Sequence, residues 1–143
     1  MGGSHWMVGM SGAAGSGMEA LFGSINYMAA KKGLDACVER HRALASNIAN
    51  LETPGYKRLE VSGEFRQNLQ EAVRRQDAAS LAGSQPRVST DLGAIPRSPD
   101  GNTVNLTDEL MALQENGLEH SLHVQLITGR MSRLRAAISG RMS

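Results

Sequence analysis

Cys37 and His41 stand four residues apart, one turn on a helix, a spacing that can set a thiolate beside an imidazole or offer two ligands to a metal. Two ligands do not make a site, and both residues fall on a run of apolar spacing, so we read them as members of a packing stripe. His120 and His123 form a second candidate pair, with Glu119 as the one carboxylate at useful spacing. No glycine-rich phosphate loop and no nucleophile elbow accompanies them. The sequence therefore offers no catalytic constellation, and we expect no cofactor, no metal and no enzyme activity.

The chemistry that remains is packing, and composition says of what kind. The 143 residues are 41% hydrophobic but only 3% aromatic, with eight methionines, so a core must be filled by aliphatic side chains and Met, as in helix-on-helix packing. A net charge of +1, with acids and bases intermixed, lacks the basic field that holds nucleic acid. One cysteine excludes an internal disulfide and a thiolate-rich zinc site. No apolar run approaches the roughly 20 residues that span a bilayer, and no cleavable signal sequence is evident, so direct membrane insertion is not expected.

Four regions follow from composition and periodicity. Residues 1–17, rich in Gly and Ser, are read as an appended leader or a disordered tail. Residues 18–57 hold a first long helix, periodic from about Ser24 to Asn50 with Leu34, Cys37, His41, Leu44, Ile48 and Leu51 on one stripe, and then a sharp exit at Pro54-Gly55. Residues 58–104 read as a largely irregular connector with three prolines, an extended piece after Lys57 and a short helix over 64–75. Asp100-Gly101 marks a turn, Asn105 or Thr107 can cap, and residues 105–140 form a second long helix with Asp108 and Glu109 in its first turn. Its stripe runs Leu106, Leu110, Leu113, Gly117, His120, Val124, Ile127, Met131, Leu134 and Ile138. The fold class expected is mainly α, with two long terminal helices forming an antiparallel hairpin or coiled-coil unit around an irregular middle. One hairpin leaves too little interior to offset its ordering entropy, so the stripe needs neighbours.

Asn47-Ile48-Ala49-Asn50 followed by Thr53-Pro54-Gly55-Tyr56-Lys57 resembles the N-terminal signature of the flagellar rod, hook and hook-filament-junction proteins. Asp100-Gly101-Asn102-Thr103-Val104-Asn105-Leu106, leading into Leu110, resembles the C-terminal helix entry of the small proximal rod proteins, B-type nearest and C-type second. Leu51-Glu52 and His120 depart from the usual family residues.

This resemblance implies a structural subunit of the flagellar basal-body rod, exported without a cleaved signal through the flagellar type III apparatus and assembled in the periplasm. Implied partners are other rod subunits, the adaptor between rod and MS ring, and the export apparatus, in homo- and hetero-oligomeric contacts. The residues implied in subunit packing are Asn47, Ile48, Asn50, Thr53, Pro54, Gly55, Tyr56, Asn102, Val104, Leu110, Leu113, Val124, Ile127, Met131, Leu134 and Ile138. Heptads alone also suit a cytoplasmic coiled-coil adaptor or export chaperone.

Overall fold

The computed structural model describes residues 8–140. Helix α1 spans Val8–Ala49 and helix α4 spans Leu106–Ile138. Between them lie strand β1 (Leu59–Val61), helix α2 (Gly63–Arg74), helix α3 (Ala78–Gly83) and strand β2 (Val88–Thr90). The molecule is mainly helical, with its two long helices packed together and little strand.

Two expectations need correction. The Gly- and Ser-rich N-terminal segment is helical from Val8 onward, while residues 1–7 lie outside the described residues. Its glycines cost about 1 kcal/mol each in a helix, yet extending an existing helix avoids the cost of nucleation, and no proline interrupts the run. The middle is also more ordered than its composition suggests. β1 and β2 pair antiparallel with Leu59 opposite Thr90 and Val61 opposite Val88. The Asp77 side chain caps α3 by accepting from the Ser80 amide at 3.0 Å.

A small aliphatic core ties this middle to the first helix. Ile25 of α1 is enclosed by Ala72 of α2 and Leu81 of α3, with Met28, Leu69 and Val73 around them. Each segment is too short to hold a helix in water alone, so α2 and α3 owe their order to this shared burial.

The seam between the long helices is not the one that apolar periodicity suggests. Antiparallel pairing sets Asn47 against Glu109, the Cys37 carbonyl against Asn116, Gly33 against His123 and Gly23 against Arg130. α4 thus turns a polar face inward, while much of its apolar stripe looks outward: Leu110 is 51% exposed, Val124 39% and Met131 43%. On α1 the stripe is split, with Cys37 and Leu44 buried, Leu34, Ile48 and Leu51 half-buried, and His41 exposed.

Gly33 makes the seam possible, because a Cβ at this position would overlap the imidazole of His123. At Gly23 the overlapping atoms belong to the flexible end of Arg130, whose guanidinium also lies 5.8 Å from the centroid of the Tyr27 ring. Burial pushes the His123 imidazole below its ordinary range, against a smaller upward pull from Glu119, and its Nδ1 has no hydrogen-bond partner.

Gly33→Ala should destabilise the chain by about 1–3 kcal/mol through overpacking, and the loss should shrink in combination with His123→Ala. Gly23→Ala should be neutral or gain up to about 1 kcal/mol from helix propensity. Urea titration followed by circular dichroism measures all three. The unfolded chain protonates His123 more readily than the folded one, so stability should fall as pH drops below about 6.5 and level off once the folded group takes its proton. His123→Gln should flatten that part of the curve of Tm against pH.

Candidate functional site

The residues of the two motifs meet at one end of the helix pair, where the last turn of α1, the turn after it, β1, the loop before α4 and the first turn of α4 converge. Gly55 and Gly101 have φ of 68° and 84°, a left-handed conformation that glycine adopts without strain, and both reverse the chain so that the two motifs face each other.

Asn47 is the centre of this clasp. Its side chain, fully buried, donates from Nδ2 to the Leu59 carbonyl (2.9 Å) and to Glu109 Oε2 (3.0 Å). Its Oδ1 accepts from the Leu59 amide (2.8 Å) and from the Tyr56 hydroxyl (3.3 Å). All the hydrogen-bonding groups of one amide are therefore engaged, and α1, β1 and α4 are joined through a single side chain.

Glu109, also fully buried, would carry a large desolvation penalty if unpaired. Its Oε1 accepts a short bond from Arg58 Nε, and Arg58 in turn reaches Asp91 Oδ2 (2.9 Å) and Glu60 Oε2 (3.0 Å). Glu60 also takes Arg40 Nε at 3.2 Å. Burial works against the Arg58 charge, but the bonds it donates to Glu109 and Glu60 outweigh it and push the guanidinium further above its ordinary value.

Asn102 closes the other side. Its Nδ2 lies 3.0, 3.0 and 2.9 Å from the carbonyl oxygens of Asn50, Leu51 and Thr53, so two amide hydrogens are shared among three acceptors. All three carbonyls lie in the turn just beyond α1, so Asn102 ties that turn down from across the chain. Its Oδ1 accepts from the Val104 amide at 2.8 Å. Arg58 N donates to Thr103 Oγ1 (2.8 Å), Thr103 N to the Tyr56 carbonyl (3.1 Å) and Lys57 Nζ to the Gly101 carbonyl (2.9 Å). The Ser98 hydroxyl, and after it the Asn102 amide, hold the Asp100 carboxyl below the usual range.

The expected site residues fall into two groups. Asn47, Asn50, Tyr56, Asn102 and Val104 belong to the clasp, with Thr53 Oγ1 donating to Asn50 Oδ1 (3.1 Å) and Tyr56 OH 3.0 Å from Ser46 Oγ. Ile48 is half-buried beside it, and Pro54 and Gly55 form its exposed turn. Leu110, Val124, Met131, Leu134 and Ile138 are exposed along α4, and Leu113 and Ile127 are half-buried. The clasp does not bring these to it. Sequence reasoning passed over Arg58, Glu60, Asp91 and Glu109 as network members; the acid in the first turn of α4 was the one visible hint, read there only as a dipole partner.

Among the described residues, no cluster of three His, Cys, Asp or Glu side chains stands close enough to hold a metal, and no helix is long and apolar enough to cross a membrane. The clasp presents no nucleophile beside a base; a cavity of about 390 Å³ borders Arg58, Asp91 and Glu109, and what the network does is fix two helices.

No family model matches the chain. Among curated proteins it is similar to the flagellar basal body rod protein FlgB of Cereibacter sphaeroides, at 37% identity over 109 residues, covering 71% of this chain and 84% of the relative. The protein of that name from Aeromonas hydrophila is 30% identical over 112 residues (71% and 83%), and that from Escherichia coli K12 is 26% identical over 117 residues (71% and 83%).

Breaking the clasp should be costly. Glu109→Ala, which removes one acceptor from Asn47 and one from Arg58 while Asp91 and Glu60 still pair with Arg58, should lose about 1–3 kcal/mol, as should Asn102→Ala. Amide hydrogen exchange of the Asn102 variant should quicken at the end of α1 and the start of α4 before it changes in the α2–α3 core.

Proposed function

The chain belongs to the FlgB family of flagellar basal body rod proteins and is a structural subunit of the proximal rod; on that premise we propose that it polymerises through the outward apolar stripe of α4 and passes torque through its clasped helix pair. The observation that carries this reading is the rotation of α4, which commits Glu109 and Asn116 to contacts within the chain and leaves Leu110, Val124, Met131 and Leu134 exposed. Exposed aliphatic surface of this extent on a helix is what a neighbouring subunit covers.

The clasp supports the mechanical part of the proposal. A buried, charge-assisted network resists shear between α1 and α4 better than aliphatic contact alone, because sliding the helices by one residue would break directional bonds at Asn47 and Glu109. Torque entering one helix is then delivered to the other without slip.

Neighbouring rod subunits and the adaptor joining the rod to the MS ring are the partners this reading names, with assembly in the periplasm after passage through the flagellar type III apparatus without a cleaved signal. Export favours a chain that unfolds readily, and a long helix pair whose outer stripe is bare draws part of its stability from assembly. A role without enzymatic activity accords with relatives named as rod proteins.

The stripe is testable apart from export. Leu110→Asp and Met131→Asp alter exposed positions, so both variants should fold and be secreted at wild-type levels. Incorporation into isolated basal bodies, read by immunoblot, should fall at least tenfold, and motility should be lost. Wild-type incorporation of both would remove the stripe from the mechanism; retention of secretable variants in the cytoplasm bound to another helical protein would favour an adaptor instead.

A further inference from the structure

The charges of this chain are divided between its two ends. From Asp35 to Glu119 the sequence holds thirteen acids against nine bases, a net charge of −4. From Ala20 to Leu34, and again from His120 to Gly140, it holds Lys31, Lys32, Arg130, Arg133 and Arg135 and no acid. Antiparallel pairing lays these two stretches side by side, with Gly33 against His123 and Gly23 against Arg130. Five cations thus gather at the end of the helix pair opposite the clasp, where Gly23 stands about 36 Å along α1 from Asn47.

The two ends also use their cations differently. Towards the clasp, arginines such as Arg40, Arg58 and Arg75 stand within ion-pair distance of carboxylates. Among the described side chains, no ion pair involves any of the five cations at the other end. Lys31 and Arg130 instead each stand 5.8 Å from the centroid of the Tyr27 ring. Tyrosine, with an apolar ring and a polar hydroxyl, suits the boundary between an apolar phase and water.

Aliphatic side chains lie among these charges. At about 100° of rotation per residue, Ile127, Met131, Leu134 and Ile138 fall within about 60° of arc on α4, and Arg130 and Arg135 flank that arc about 40° beyond its two edges. Met131 is 43% exposed, Leu134 44% and Ile138 86%, and Arg133 and Arg135 are exposed as well. An aliphatic arc edged with arginines is the pattern of a helix that lies in a lipid headgroup layer, where the aliphatic groups enter the acyl boundary and the guanidinium groups meet phosphates. Nucleic acid would satisfy the cations but leave the aliphatic arc in water. No helix among the described residues is long and apolar enough to cross a membrane, so the contact is one of adsorption.

We propose that the unassembled chain docks on an anionic phospholipid surface through this basic end, with the last turns of α4 at headgroup level. The same phosphates repel the acidic end, which orients the clasp away from the bilayer. On the rod reading a neighbouring subunit covers the same aliphatic arc, so docking and incorporation exclude one another and the lipid contact belongs to the free chain.

Co-sedimentation of the full-length chain with vesicles tests this. Binding to vesicles of equal parts phosphatidylglycerol and phosphatidylcholine should exceed binding to pure phosphatidylcholine at least tenfold. It should weaken at least tenfold between about 0.1 M and about 1 M salt, as the screening length falls from about 10 Å to about 3 Å. Arg133→Glu/Arg135→Glu should lower binding to the mixed vesicles at least tenfold with helicity unchanged by circular dichroism; Lys31→Glu serves in its place if that variant loses helicity. Ile138→Ser should also weaken binding, whereas Arg74→Glu/Arg75→Glu, the same charge change near the clasp, should bind as the unaltered chain does. Equal binding to the two kinds of vesicle would overturn the proposal, as would equal losses from the two double variants. A double-stranded oligonucleotide bound as tightly as the mixed vesicles would reduce the basic end to a general polyanion patch and overturn it too. Each of these outcomes leaves the rod reading intact, because that reading is tested in basal bodies and not on vesicles.

Discussion

The bond between Asn47 and Glu109 is the constraint around which the rest of the chain is arranged. It joins residues 62 positions apart, both fully buried, and it exists only if Arg58 arrives to neutralise the carboxylate. Arg58 arrives only if the chain reverses at Gly55 and lays β1 along α1, which the Asn47 amide enforces by bonding both backbone groups of Leu59. Removing Arg58 leaves the buried Glu109 without its cation, and removing Asn47 leaves both backbone groups of Leu59 without their side-chain partner, so the network forms as a whole.

How much of this was legible beforehand varies by residue. α4 was readable because Leu110, Leu113, Val124, Ile127 and Met131 recur at helical spacing, and its cap was readable because Asn105 precedes two acids; its side chain does accept from the Asp108 amide, at 3.2 Å. The direction that α4 faces was not readable. Periodicity finds where apolar residues lie on a helix, and the usual inference that they point to the chain's own core fails when the core lies between molecules. The true seam holds Glu109, Asn116, His123 and Arg130, which as a sequence resemble a solvated face. Glycines 23 and 33 look like weak points in α1 until the groups that fill the space beside them are seen.

The clasp was half legible. Its residues stood in the two motifs, but their partners are set by tertiary structure: Asn102 is recognisable as a turn residue, while its service to carbonyls some fifty residues earlier has no local signature. α3 and the N-terminal turns of α1 were missed for a related reason. Local composition disfavours order there, and packing on Ile25 or continuation of a formed helix supplies what propensity does not.

A division of labour results. Directional polar bonds are spent inside the chain, where geometry must be unique, and aliphatic surface is left outside, where subunits can adjust as they pack. Specificity of the fold and adhesion of the assembly thus draw on different side chains, and a change in one need not disturb the other.

The clasp has a further consequence at the base of the middle segment. Lys57 to Gly101, Arg58 to Thr103 and Thr103 to Tyr56 pin the strand leaving α1 directly beside the strand entering α4. Everything between them departs and returns through one fastened doorway. Loop-closure entropy grows only slowly with length, by about 0.6 kcal/mol per doubling. Evolution can therefore lengthen, shorten or exchange that segment wholesale while the two-helix frame keeps its register, which makes the doorway a natural grafting point for new domains.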